Sequence, residues 1–262
     1  EGGAQGVVPT ESIGHIQSAG CAGQSEAVTA AHNKCIRDLM GDIQVHRKKK
    51  SNLTFLTMEE EHTIGTLWEQ DGCSEICSKE ELWQAAKSDE MQIQLRGGDD
   101  VSCASEQQYE ERFWRRRLDG IALDSVGKKC YLIEFKRTRD RRHSYEERAM
   151  KVARQQYKSL LSGLQAVGQQ KGWKVEQLVF VGGTCGSVNV ETFNQNLKLL
   201  EVPEGKWSRL RQRMARRLLE EQDKVLRAYF AQKYDKTPTC VDGGGDAAGP
   251  KGLAHLSRDV YA

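Results

Sequence analysis

Apolar positions along the chain follow two spacings, one near 3.6 residues and one of two, and they alternate in blocks. From Ser25 to about His46, Val28, Cys35, Ile36, Leu39, Met40 and Ile43 recur at helical spacing, which predicts an amphipathic helix opened by Ser25-Glu26. In residues 47–110 the pattern is weaker. Leu53–Met58 predicts a strand, Glu59–Trp68 a short helix or loop, Lys79–Lys87 a helix and Met91–Leu95 another strand. This stretch reads as an insertion after the first helix that supplies the sheet's first strand. Two strand-like runs then flank Asp124-Ser125-Val126-Gly127-Lys128-Lys129, the signature of a β-hairpin. Tyr145 to about Val167 follows as a helix, with Met150, Ala153, Tyr157, Leu160, Leu161 and Leu164 on one side. Val175–Val181 predicts an interior strand ended by Gly182-Gly183, and two helices, Val190–Leu200 and about Glu204–Lys233, follow it. Strands alternating with helices make this an α/β chain. Residues 1–22 and 235–262 have no periodicity and are expected to be disordered, which leaves 23–234 as one domain.

The hairpin carries the chemistry. Pairing symmetric about Val126-Gly127 sets Asp119 opposite Glu134, and cross-strand partners have Cβ atoms about 5 Å apart. Alternation along the strand puts Glu134 and Lys136 on one face and Tyr131, Ile133 and Phe135 on the other. Two carboxylates at this distance suit a shared divalent cation, because Mg²⁺ takes one or two carboxylates and completes its shell with water and phosphate oxygens. A lysine two residues beyond a ligand is placed to orient water or to neutralise charge on a phosphoryl group. Without a cation the two acids repel, and one of them should have a raised pKa. The competing reading is a solvated, charge-paired strand face opposite an incidental Asp.

Net charge is only +2, so overall charge says nothing about partners. Its distribution says more: basic runs at Arg47–Lys50, Arg115–Arg117, Lys136–Arg142 and Lys206–Arg217 bracket the acid pair, an arrangement that fits a polyanion. Arg117, Arg137 and Thr138 beside the acids, and Arg213 and Arg217 on the long basic helix, are candidate nucleic-acid contacts, with solvation of helix faces as the alternative. Gln155, Gln156 and Tyr157 lie on the helix after the lysine strand, and Gln155 is taken as the side chain facing the site. His32 near the start of the first helix reads either as a phosphate or metal contact or as a surface residue. Gly182-Gly183-Thr184-Cys185-Gly186-Ser187 is compared with a nucleophile elbow using His143 or His32 as base, but its glycine spacing departs from that motif. Cys73 and Cys77, with His62 and Cys103, make an irregular zinc set, so free thiols are expected. No run of roughly 20 apolar residues is present, and no membrane partner is expected. A chain that begins Glu-Gly-Gly without a signal peptide reads as an excised piece of a longer intracellular product.

An Asp after a basic strand, a hydrophobic strand ending Glu134-Phe135-Lys136 and a following helix resemble the PD-(D/E)xK restriction-endonuclease-like superfamily. Leu118-Asp119 stands where that family often has Pro-Asp. The resemblance covers about the middle third of the chain. It implies a central mixed sheet flanked by helices in the order helix, strand, strand, strand, helix, strand, here with the insertion after the first helix and a C-terminal basic helix. It implies Asp119 and Glu134 as ligands of Mg²⁺ or Mn²⁺, Lys136 as the third catalytic residue, and DNA as substrate. Ala31-His32-Asn33-Lys34-Cys35 at a helix start is similar to the endonuclease domains of non-LTR retrotransposons, which implies target-site nicking in the nucleus, with other domains of a polyprotein as partners. A catalytically inactive nucleic-acid-binding module and a thiol hydrolase using Cys185 are the other function classes.

Overall fold

The strand runs on either side of Val126-Gly127 pair as their alternation requires. A computed structural model describes residues 25–57, 63–70, 73–96, 105–140 and 144–234. In chain order the elements are α1 (Ser25–His46), β1 (Thr54–Thr57), α2 (Ile64–Gln70), α3 (Lys79–Arg96), α4 (Glu106–Trp114), β2 (Gly120–Asp124), β3 (Lys129–Thr138), α5 (Tyr145–Gln156), α6 (Lys158–Gln170), β4 (Lys174–Gly183), α7 (Val190–Leu199) and α8 (Glu204–Tyr234). The predicted terminal segments, 1–22 and 235–262, lie outside the described residues.

Among the described residues the strands form one mixed sheet in the order β1-β2-β3-β4, with β1, β2 and β3 antiparallel and β4 parallel to β3. The hairpin register has Gly120 opposite Ile133 and Asp124 opposite Lys129, the symmetry expected from the sequence. A side-chain turn fixes it: Gly127 N–H donates to Asp124 Oδ1 at 2.7 Å, and a Cβ on Gly127 would collide with that carboxylate. Because side chains alternate, a one-residue slip would move every buried residue of the hairpin to the wrong face.

Each face of the sheet buries its own core. Ile121, Leu123 and Leu132 point to one side, where they meet Leu67, Trp83, Phe113, Tyr157, Leu160 and Leu164 of α2, α3, α4 and α6. Ala122, Tyr131, Ile133 and Phe135 point to the other, against Leu39, Met40 and Ile43 of α1, Phe193 and Leu197 of α7, and Leu210 and Met214 of α8. β3 is therefore covered on both faces, which is why its sequence is almost continuously apolar. At the outer edge of the sheet, buried Asn196 of α7 donates through Nδ2 to the Val179 carbonyl at 2.9 Å and satisfies an exposed strand edge.

Two expectations are corrected. Met91–Leu95 is helical rather than a strand: its apolar residues alternate by two, but the segment continues α3, which Leu82, Trp83, Ala86 and Glu90 anchor by a buried helical stripe just before it. The helix expected from Tyr145 to Val167 divides at Tyr157, which leaves helical geometry with φ −113° and ψ 18°. The 47–110 region supplies β1 and the helices α2, α3 and α4 that close one core.

α3 and α6 approach closely at Gly163, where an added Cβ would stand 3.0 Å from Ala86 Cβ and 3.1 Å from Leu82 Cδ1. Gly163→Val should therefore destabilise the fold by about 1–3 kcal/mol through overpacking, read from the midpoint of urea denaturation. An unchanged midpoint would show that the two helices can separate freely.

Candidate active site

β3 outruns its neighbour. Its last partner in β2 is Gly120, opposite Ile133, and from Glu134 to Thr138 it pairs only with β4. The edge left open on the β2 side is where the polar side chains gather. Asp119, the residue before β2, accepts the Phe135 N–H through Oδ2 at 2.6 Å, so its carboxylate caps the first free donor of that edge. Its other oxygen, Oδ1, lies 3.1 Å from His32 Nε2 of α1. An ionised carboxylate only accepts, so in this pair Nε2 carries the hydrogen. The His32 ring also lies against Phe135, with centroids 5.5 Å apart.

Glu134 and Lys136 share the opposite face of β3 from Phe135, and Lys136 Nζ stands 2.5 Å from Glu134 Oε1. The ammonium also donates to Gln156 Oε1 at 2.8 Å, at the C-terminal end of α5. Gln156 Nε2 donates in turn to the Tyr157 hydroxyl at 3.0 Å, and that hydroxyl donates to the Arg117 carbonyl. Arg116 ties the same corner to α3: its guanidinium contacts the Gln156 carbonyl at 3.1 Å and Ser159 Oγ at 3.3 Å, and it pairs with the fully buried Glu90.

Glu134 is only 3% exposed, and its Oε2 is buried with no hydrogen-bond partner. Burial pushes its carboxyl from 4.5 up to about 7; the nearby Asp119 charge adds to the rise and Lys136 opposes it. Burial also raises the Tyr157 phenol, and the charges of Glu134 and Asp119 and the closeness of the Glu134 carboxylate to the hydroxyl add to that shift. The expected repulsion between the two acids is thus present.

The donor set fits a hard divalent cation. Glu134 Oε2 is an acceptor without a donor, and Asp119 keeps lone pairs beyond the two it already uses. Among the described residues no three His, Cys, Asp or Glu side chains form a metal-holding group. The protein would accordingly supply two carboxylates, with water and substrate oxygens completing the shell.

The remaining candidates are placed as follows. Asp119 contacts His32, Glu134 contacts Lys136, and the charges of Asp119 and His32 act on Glu134. Gln155 does not join them: it is exposed, and its neighbour Gln156 makes the contact, because α5 presents position 156 to the strand. Arg117 is exposed beside the site. Thr138 is half-buried at the end of β3, with its carbonyl bonded to Thr184 N–H at 2.8 Å. Arg137 points to the other face and bonds Gln222 of α8; burial lowers its pKa. Arg213 and Arg217 also lie in the α1/α8 layer, paired with Asp42 and with Asp38. Their charges are engaged within the fold, so these three arginines are not assembled with Lys136.

The glycine-rich turn after β4 is held by Asp140, which accepts Cys185 N–H at 3.1 Å and Ser187 O–H at 2.6 Å. Its backbone donors are taken by that carboxylate, at Cys185, and by backbone carbonyls, at Gly183, Thr184 and Gly186, rather than left for a phosphate. Cys73 and Cys77 form no disulfide and are buried in the core with Cys130. His62, Cys103 and His143 lie outside the described residues. Gln156, Tyr157, Arg116 and Glu90 are site-supporting groups that sequence reasoning did not assign. A Gln-Tyr pair ending a helix after Glu-x-Lys was the available signal for the first two, and nothing local marks Arg116 and Glu90. Compared with protein-family models, with curated proteins and with solved structures, the chain has no match.

A carboxyl whose folded pKa is raised holds a proton that the unfolded chain releases. Its contribution to stability is fully present below about 4.5 and is lost as pH rises through about 7. In metal-free protein the melting temperature should therefore fall between about pH 5 and about pH 8 by more in the native chain than in Glu134→Gln. Parallel pH profiles would show that Glu134 is not desolvated.

Proposed function

We propose that this protein is an endonuclease of the PD-(D/E)xK restriction-endonuclease-like kind that hydrolyses DNA phosphodiester bonds with Mg²⁺ or Mn²⁺. The observation that carries the reading is the buried Glu134 carboxylate, with one oxygen unpartnered, beside Asp119 and Lys136 at an open strand edge. With α2–α4 set aside as an insertion between β1 and β2, and α5 and α6 taken together as the crossover, the order of helix, three antiparallel strands, crossover and a parallel strand is the one the resemblance implies.

Asp119 and Glu134 would hold the cation, which when bound supplies Lewis-acid polarisation of the phosphoryl group and lowers the pKa of water. Asp119 is oriented for this by the Phe135 N–H and by His32. Glu134 is kept out of water, where its charge interacts strongly. Lys136, fixed between Glu134 Oε1 and Gln156 Oε1, donates to the attacking water or to a phosphoryl oxygen as negative charge develops there. Gln156 holds the ammonium in place. Arg117 lies at the surface beside the acids, where a guanidinium can grip an adjacent phosphate. The narrower reading of target-site nicking within a retrotransposon polyprotein rests on the resemblance around His32, whose ring contacts Asp119.

One observation favours a second reading. Lys136 and Glu134 already form a close ion pair, which suits a module that binds nucleic acid without cutting it. Metal separates the two. Supercoiled plasmid should be nicked with Mg²⁺ or Mn²⁺ and not with EDTA, and Glu134→Gln or Lys136→Ala should lower the rate by about 10²–10³ with the circular dichroism unchanged. Protein that binds DNA but cuts it with neither ion would be the non-catalytic module.

A further inference from the structure

The long basic helix looked in sequence like the nucleic-acid surface, but the fold engages half of its cations. Along α8, Arg211 bonds Asn194, Arg213 pairs with Asp42, Arg217 with Asp38 and Glu220, and Arg227 with Asp223, whereas Lys206, Arg209 and Arg216 stay exposed without a side-chain partner among the described residues. α5 differs in that its free cations lead to Lys136. Its acids, Glu146 and Glu147, sit in the first turn, where the positive end of the helix favours them. From Arg148 to Lys158 the sequence has four basic residues and no acidic one.

Arg148, Lys151 and Arg154 are exposed, and among the described residues their side chains make no ion pair or hydrogen bond. Spaced three apart, they climb the outer side of a helix whose inner side packs Ala149 and Ala153 on Val179 and Val181. Six residues of helix rise about 9 Å, between the axial spans of three and of four consecutive phosphates on one strand, about 7 and about 10 Å. The stripe leads to the site: Gln156, two residues beyond Arg154, holds Lys136, and Tyr157 is bonded to the carbonyl of Arg117, another exposed and unpaired arginine.

We infer that Arg148, Lys151 and Arg154 of α5, continued by Arg117, form a track that binds the phosphate backbone of the nucleic acid on one side of the scissile position. The occupant is a polyanion of regular charge spacing, because the three cations are unneutralised, evenly spaced and joined through the protein to the acid pair. Lys158 lies at the end of the same stripe but shares its charge with Asp89 at 3.0 Å and contributes less. The inference rests on the nuclease reading for the direction of the track but not for its existence.

Binding of a labelled 20-base-pair DNA duplex, followed by fluorescence anisotropy at several salt concentrations, tests it. Measurement in a Glu134→Gln background keeps the probe intact. Neutralising Arg148, Lys151 and Arg154 together to Gln should lower the slope of log Kd against log salt by about three. Neutralising the exposed Lys174, Lys224 and Arg227, each paired with a neighbouring acid, should leave it nearly unchanged. Equal slopes for the two triple variants, or no duplex binding by the parent protein, would overturn the track. A lowered slope in a protein whose native chain cuts no plasmid would keep the track and reject the nuclease; an unchanged slope in a protein that cuts would do the reverse.

Discussion

A carboxylate held almost wholly out of water, with one oxygen lacking any donor, is the constraint around which this fold is arranged. Burying an unpaired charge costs several kcal/mol unless it is neutralised or paired. Glu134 meets that cost in part through Lys136 and in part by a raised pKa, and its Oε2 is left open. Soluble folds rarely keep such a group where an apolar residue would pack as well, and perturbed acids of this kind concentrate at functional sites. A divalent cation would satisfy the open oxygen and remove the repulsion from Asp119 in one step.

The rest of the architecture keeps that carboxylate in place. The Asp124–Gly127 turn sets the hairpin register, and the register brings Asp119 to the β3 edge, where it binds the Phe135 N–H. Because β2 stops at Gly120 while β3 continues, the Phe135 N–H is left for Asp119 to bind, so the same strand ending that leaves the β3 edge open also orients the first acid. Behind the site, the buried Glu90 and Ser159 and the half-buried Arg116 join α3 to α6 and to the end of α5. A local break at Tyr157 then turns the chain so that Gln156 can reach Lys136. Loss of any one of these supports should be felt at the ammonium before it is felt in the core.

The hairpin was legible in the sequence because its information is local: alternation fixes the face of each residue, and a glycine turn fixes the register. The Asp119, Glu134 and Lys136 grouping followed from those two facts. Helices α1, α7 and α8 were legible for the similar reason that one apolar stripe repeats over many turns. Met91–Leu95 was misread because five residues cannot distinguish a period of two from the end of a helical stripe. Gln155 was preferred to Gln156 because adjacent positions on a helix differ by 100°, and the phase of α5 is set by the packing of Ala149 and Ala153, not by the glutamines. The engagement of Arg213 and Arg217 by Asp42 and Asp38 depends on α1 lying beside α8, a contact between segments far apart in the chain. No pattern within either helix announces it.

The central claim is that Asp119 and Glu134 converge on one hard cation. Electron paramagnetic resonance of Mn²⁺ titrated into metal-free protein tests it without reference to any substrate. The account predicts one bound ion per chain, lost in both Asp119→Asn and Glu134→Gln while the far-ultraviolet circular dichroism is kept. Protein that leaves all Mn²⁺ in the free, six-line state, or variants that bind it as the native chain does, would contradict the account.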